Sequence, residues 1–202
     1  MSDEFKKKYA AFDFDGTITY SDSLVPFLKY NFGLIKTCKG LLQEIPCLTG
    51  FLLGQYSRQD VKEKILRRFF QNTPYSTLCE KGTEFALHDL NKIVRPAALQ
   101  RIQWHQKKGH ECILVSANLD VYLKPWAEKM GFQHSITSIC EVSNGLMTGN
   151  LQGLNCRGPE KARRLEALLG RKEDYILYAY GDSVGDREML EMADYAYMNV
   201  FR

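Results

Sequence analysis

Short apolar runs punctuate the chain. Tyr9 to Phe14, Cys112 to Ser116, Ile176 to Tyr180 and Tyr195 to Val200 each break off at Asp, Ser, Gly or Asn. Runs without polar alternation suit strands covered on both faces, so these four predict a parallel sheet. A further strand is expected near Ser135 to Ile139, and Asn144-Gly145 within Glu141 to Leu151 signals a hairpin. Helical spacing alternates with the runs. Pro96 to Lys108 carries Ala98, Leu99 and Ile102 and stops at Gly109, while Pro159 to Leu169 starts on proline and stops at Gly170. The pattern is that of an α/β doubly wound parallel sheet.

Between the first two runs lie roughly a hundred residues, far more than a crossover needs. Leu24 to Leu90 reads mainly as helices, with one amphipathic helix marked by Val61, Ile65, Leu66, Phe69 and Phe70 after the polar Ser57 to Asp60, and another at Phe85 to Leu90. The expected organisation is a core of residues 1–20 and 95–202 with a helical cap at 21–94. Ligands of open α/β sheets bind beyond the carboxyl ends of the strands, so an insertion after the first strand overhangs that place as a lid.

Composition narrows the class. The 202 residues are 45% hydrophobic and 25% charged, as in soluble globules, and the formal net charge is only +3. That is too slight to point to nucleic acid as a partner. The whole excess falls in residues 21–94, so the insertion is the part that meets anions. Cysteines 38, 47, 79, 112, 140 and 156 show no metal-ligand cadence, which suits a reducing compartment. Met1 to Lys8 offers no apolar leader core, and Gly40 to Gly54 is too short, with Glu44 and Pro46, to span a bilayer. A cytoplasmic location is expected. His88, His105, His110 and His134 share no motif and receive no role; Trp104 and Trp126 are expected in the core.

The chemistry gathers at the ends of the runs. Asp13 and Asp15 stand two apart where the first strand ends, facing one way, and Gly16 permits a tight turn. Two carboxylates that close repel unless a cation or shared proton compensates; Mg²⁺ would satisfy them, and so would service as a plain turn-forming pair. Ser116 and Ala117 follow the second strand, where a serine also serves as a helix N-cap. Lys161 lies in the first turn of the helix opened by Gly158-Pro159, against the macrodipole, which an anion would relieve; a solvated face shared with Arg163 and Arg164 is the plainer alternative. Asp182 leaves the strand Ile176 to Tyr180, and Asp186 stands near the next helix start as a cap or a buttress to metal ligands.

In combination and order, Asp13 to Thr17, Ser116, Lys161, and Asp182 with Asp186 match four motifs, and on them the whole chain resembles the haloacid dehalogenase superfamily, subfamily IB, phosphoserine phosphatase-like. The resemblance implies a helical C1-type cap and a Mg²⁺-dependent phosphomonoester hydrolase. In that scheme Asp13 is the nucleophile forming an aspartyl-phosphate and Asp15 the acid and base. Thr17, Ser116, Ala117 and Lys161 bind the phosphoryl group. Asp13, Asp182 and the backbone carbonyl of Asp15 hold the metal, with Asp186 behind them. A dehalogenase expels halide and needs no acid at Asp15, so phosphatase is preferred. A receiver-like or degenerate phosphate-binding protein would need neither Asp15 nor a lid.

The substrate divides two ways. Asp22, near where phosphoserine phosphatases carry a glutamate, and Arg58, with Arg67 and Arg68 as further clamp candidates, suit a small polar metabolite. The segment Leu154 to Lys161 and the apolar Gly40 to Gly54 resemble subfamily IB phosphatidylglycerophosphate phosphatases, implying a lipid phosphate and contact with a membrane surface without spanning it. Leucines and phenylalanines in a helical cap usually form the cap's own core, which is the plainer alternative.

Overall fold

The apolar runs form the centre of the molecule in the computed structural model, which describes residues 6–202. The strands are β1 (Lys7–Phe12), β2 (Glu111–Leu119), β3 (His134–Ser138), β4 (Cys140–Ser143), β5 (Leu146–Leu151), β6 (Tyr175–Gly181) and β7 (Tyr195–Met198). Five of them pair in parallel in the order β3-β2-β1-β6-β7, and β4 and β5 form the separate hairpin. The chain builds outward from β1 in both directions, so a crevice opens where β1, β2 and β6 end. Part of the segment Met1 to Lys8 lies outside the described residues. Among those described, no helix is long and apolar enough to cross a membrane.

Period-two alternation gives each sheet face its own core. Ala10, Phe12, Leu114 and Tyr180 face α5 (Pro96–Lys107) and α6 (Asp120–Lys129), where Ile102 and Trp126 are fully enclosed. Tyr9, Ala11, Val115 and Leu177 face α7 (Pro159–Leu169) and α8 (Arg187–Glu191), through Leu165 and Met189. Edge strand β7 departs from the expectation of burial on both faces, since Tyr195 and Met198 are about half exposed. Its aromatic residues serve a ladder instead: Tyr195 and Tyr197 stack on Tyr178 and Tyr180 at 4.6 and 4.8 Å between centroids. Trp104 corrects its expectation as well, lying 41% exposed against Arg101 and His105, whereas Trp126 is buried and donates to Asn91.

The insertion consists of helices: α1 (Leu24–Gln43), kinked at Gly33, then α2 (Ile45–Leu52), α3 (Arg58–Phe70) and α4 (Tyr75–His88). The Phe85–Leu90 helix proves to be the end of α4, with Leu90 in the turn beyond. The insertion has no core of its own. Phe27, Phe70 and Phe85 join Tyr122 of α6 in the apolar cluster beneath the sheet, with Phe27 and Tyr122 rings 4.7 Å apart. The β4–β5 hairpin, assigned by sequence to the core, is stitched to the α3–α4 turn by Asn72 N–H to Met147 O and Met147 N–H to Thr73 O, both 2.9 Å.

Two of the scattered histidines meet. His105 and His110 share a hydrogen bond between their Nδ1 atoms at 2.8 Å, and His105 Nε2 lies 2.8 Å from the Tyr180 hydroxyl. Burial, then the neighbouring His110 and Arg101, drives His105 down to about 3.

Two outcomes are expected. At Gly82 a Cβ would run into the carbonyl of Val121, so Gly82→Ala must part α4 from α6 and should cost about 1–3 kcal/mol in urea unfolding; an undiminished midpoint would show that the helices do not approach so closely. His105 is neutral when folded but takes up a proton below about pH 6.5 when unfolded. Its contribution is therefore present above that pH and lost as the pH falls towards 3. The drop in stability between pH 7 and pH 5 should be smaller in His105→Gln than in the native chain.

Candidate active site

Two strand exits, those of β1 and β6, deliver the carboxylates to one point. β1 ends at Phe12, and the next amide, of Asp13, still bonds to Tyr180 O at 2.9 Å, locking that aspartate beside β6. Phe14 to Ile18 then turns widely, with Gly16 at φ 83°. A Cβ on Gly16 would collide with the Asp182 carboxylate, so only glycine fits there. Carboxylate oxygens of Asp13, Asp182 and Asp186 lie within 4.8 Å of one another.

Lys161 stands among them. Its ammonium, almost fully buried, donates to Asp13 Oδ1 at 2.5 Å and Asp186 Oδ1 at 2.6 Å. Desolvation works against its charge, but Asp13 and Asp186 outweigh that and hold it above the ordinary lysine value. Arg163 and Arg164 are occupied with Glu160, so the shared solvated face does not extend to Lys161. Asp13 also accepts from Thr17 Oγ1 at 2.9 Å. Burial nevertheless lifts Asp13 to about 6 despite Lys161, and raises Asp182, which Arg202 contacts at 2.7 Å. Asp186 is held low: burial is overcome by Lys161 and by the amides of Asp182 and Ser183 donating to its other oxygen. An all-oxygen set whose charge is only partly compensated fits a hard divalent cation such as Mg²⁺.

Asp15 does not point at this cluster. Its carboxylate accepts from Ser23 N–H and from Asn118 Nδ2, each at 2.7 Å, in a different corner of the same cavity. Burial first, and then Asp22, raise it to about 7. Ser116 is fully buried, with Oγ accepting from Asn118 N–H at 3.1 Å. The cavity, about 310 Å³, is lined by Asp13, Asp15, Ser116, Ala117 and Lys161 on its floor.

The helical insertion supplies the remaining wall. Ser57 and Asp60 form a reciprocal capping box that starts α3 at Arg58 and so fixes the phase of the helix. Arg58, Val61, Lys62 and Ile65, at i, i+3, i+4 and i+7, then all face the cavity. Asp22 also lines it while accepting from Leu24 N–H at 2.8 Å. Arg67 and Arg68 are directed elsewhere, to Asn150 and Glu44. Sequence reading assigned nothing to Lys62, Asn118 or Arg157. The one signal for Lys62 in the sequence is its place beside Val61 on an amphipathic helix. Lys62 Nζ donates to Ala117 O at 2.6 Å; burial pulls it below the usual lysine range, opposed by Asp22 and Asp15.

With fold and site in view, the chain belongs to the haloacid dehalogenase-like hydrolases, whose family model matches residues 10–191. It is similar to Protein CicA of Caulobacter vibrioides, 32% identical over 193 residues, spanning 95% of this chain and 86% of that one. A protein of unknown function from Bordetella pertussis superposes with a TM-score of 0.79 at 23% identity over 92% of this chain and 86% of its own. A substrate-bound phosphoserine phosphatase complex gives 0.64 at 17% over 96% and 86%, respectively.

Lys62→Met deletes the contact between α3 and the end of β2. The expected result is a ten- to hundredfold lower kcat/KM on p-nitrophenyl phosphate with the thermal midpoint little changed, the scale of one hydrogen bond to a charged group. Unaltered kinetics would make Lys62 a bystander.

Proposed function

We propose that this hydrolase is a Mg²⁺-dependent phosphomonoesterase that works through an aspartyl-phosphate on Asp13. The observation that carries the reading is a buried carboxylate gripped by Thr17 and Lys161 at the floor of a cavity, with Asp182 and Asp186 alongside. Asp13 and Asp182, with the backbone carbonyl of Asp15, would hold the metal, and Asp186 would steady Lys161 and the loop after β6. Bound Mg²⁺ supplies positive charge that offsets the repulsion between an anionic nucleophile and an anionic ester.

The chain's own groups account for the rest. An Asp13 oxygen attacks phosphorus while the bond from phosphorus to the alcohol oxygen breaks. Asp15, raised to about 7, is poised near neutrality to give that oxygen its proton. Water then attacks phosphorus, Asp15 takes the water's proton, and the bond to Asp13 breaks to release inorganic phosphate. Thr17, Ser116, the Ala117 region and Lys161 stabilise the equatorial oxygens, since phosphoryl transfer depends chiefly on positioning and charge. The insertion that walls the cavity argues against a receiver-like store of phosphate.

For the substrate, Asp22 and Arg58 on the wall support a small metabolite of the phosphoserine kind. A second reading, a lipid phosphate, is favoured by Leu48, Phe51, Val61 and Ile65 on the same wall. A panel including phosphoserine, phosphatidylglycerophosphate and p-nitrophenyl phosphate decides between them. Hydrolysis should vanish with EDTA, return with Mg²⁺, and fall on the order of a thousandfold or more in Asp13→Asn. Asp15→Asn should lose roughly 10²- to 10⁴-fold on alkyl phosphates and less on p-nitrophenyl phosphate, whose leaving group needs no proton. Full activity in Asp13→Asn sinks the mechanism.

A further inference from the structure

The outer half of α1 and the whole of α2 wear their amphipathic character inside out. Thr37, Gly40 and Glu44 turn inward from α1 and the linker, as do Cys47 and Gly50 from α2. The rings of Phe69 and Tyr56 press on Gly40 and Gly50, where a side chain would collide with them. Leu41 packs inward against the apolar cluster, but most of the large aliphatic residues point out: Leu34, Ile35, Leu42, Ile45, Leu48, Leu52 and Leu53 are 41–83% exposed. Ile35, Cys38 and Leu42 repeat at i, i+3 and i+7, and so do Ile45, Leu48 and Leu52, so each helix presents a continuous apolar stripe. The expectation that these leucines make the cap's own core is thereby corrected; small residues took the inner positions. An exposed apolar surface of this extent marks a docking site.

Charge selects the occupant. Between residues 24 and 54 the basic residues are Lys29, Lys36 and Lys39, all exposed, and the single acidic residue, Glu44, is buried against Arg68. A second copy seated by a two-fold axis would set lysine against lysine with no exposed acid on the segment to answer it. An anionic surface with an apolar interior answers both features. Leu48 belongs to the stripe and also lines the active-site cavity, beside Phe51 and Arg58.

We propose that the α1–α2 face seats this protein on anionic lipid bilayers, with the mouth of the cavity held at the headgroup level. Docking itself is independent of the catalytic reading; the delivery of phosphate esters from the lipid surface rests on it.

The test is flotation with phosphatidylcholine vesicles, with and without phosphatidylglycerol. The native chain should float with the anionic vesicles and be released as salt rises. Lys36→Gln with Lys39→Gln should weaken that binding roughly tenfold or more. Ile35→Glu with Leu52→Glu, which touch neither cavity nor core, should abolish it while leaving the thermal midpoint and p-nitrophenyl phosphate hydrolysis as in the native chain. The proposal is overturned if the native chain ignores anionic vesicles or if the glutamate variant binds them equally well. It is overturned too if light scattering shows a dimer that those glutamates dissolve while vesicles capture nothing. Vesicle binding without hydrolysis would defeat only the active-site reading, and hydrolysis without vesicle binding only the docking.

Discussion

A single buried ammonium makes the rest of the site tenable. Parallel strands must end together, and in this chain the shared end carries Asp13, Asp182 and Asp186, whose repulsion in a poorly solvated crevice would otherwise push the strand exits apart. Lys161 lies between two of them. Its position is built in by the turn before α7, where Gly158 N–H reaches Gly185 O at 2.8 Å and ties the start of that helix to the loop that presents Asp186. A buried ion pair is weak evidence for stability, because desolvation consumes most of the Coulombic gain. Its value here is positional: one cation holds groups from β1 and from the β6 loop at fixed separation. Burial keeps Asp13 raised to about 6 even beside Lys161, with Asp186 adding to the rise.

The sheet and its motifs could be read in advance because their signals are local. Unbroken apolar runs report burial on both faces, and an aspartate, serine or glycine at the end of a run reports the exit; β1, β2 and β6 follow that rule within a few residues. β7 forms and pairs with β6 as expected, but it is not buried on both faces, because its aromatic residues serve ring stacking along the sheet edge, which looks the same in sequence as burial. The direction of the Asp15 carboxylate was not legible: two residues apart on a strand would put it beside Asp13, but β1 ends before either, and it bonds to Ser23 and Asn118 while lining the same cavity.

The lid was harder for a physical reason. Helical periodicity shows that a helix has two faces and is silent on which faces inward when small residues occupy one and leucines the other. On α1 and α2 the small residues win the interior because Phe69 and Tyr56 fill the space above them. On α3 the reverse ambiguity applies: Val61 and Ile65 look like core, yet the capping box rotates them with Lys62 towards the cavity. Site residues on such a helix are set by phase, and phase is set by a cap eight residues or fewer away.

How the lid is fastened then constrains how the cavity can be reached. Ser23 donates its amide to Asp15 while its hydroxyl pairs with Tyr122 at 3.1 Å, so the residue before α1 ties the insertion to the loop after β1 and to α6. Phe27, Phe70 and Phe85 share one apolar cluster with α6, and exposing even two of those rings would cost several times about 1.5–3 kcal/mol once their partners are counted. A swing of the whole insertion is therefore far dearer than a displacement of α2, which contributes only Cys47 to the buried hydrophobic set. Access falls to the side bounded by Leu48, Phe51 and Arg58, the border shared by the cavity and the exposed aliphatic face.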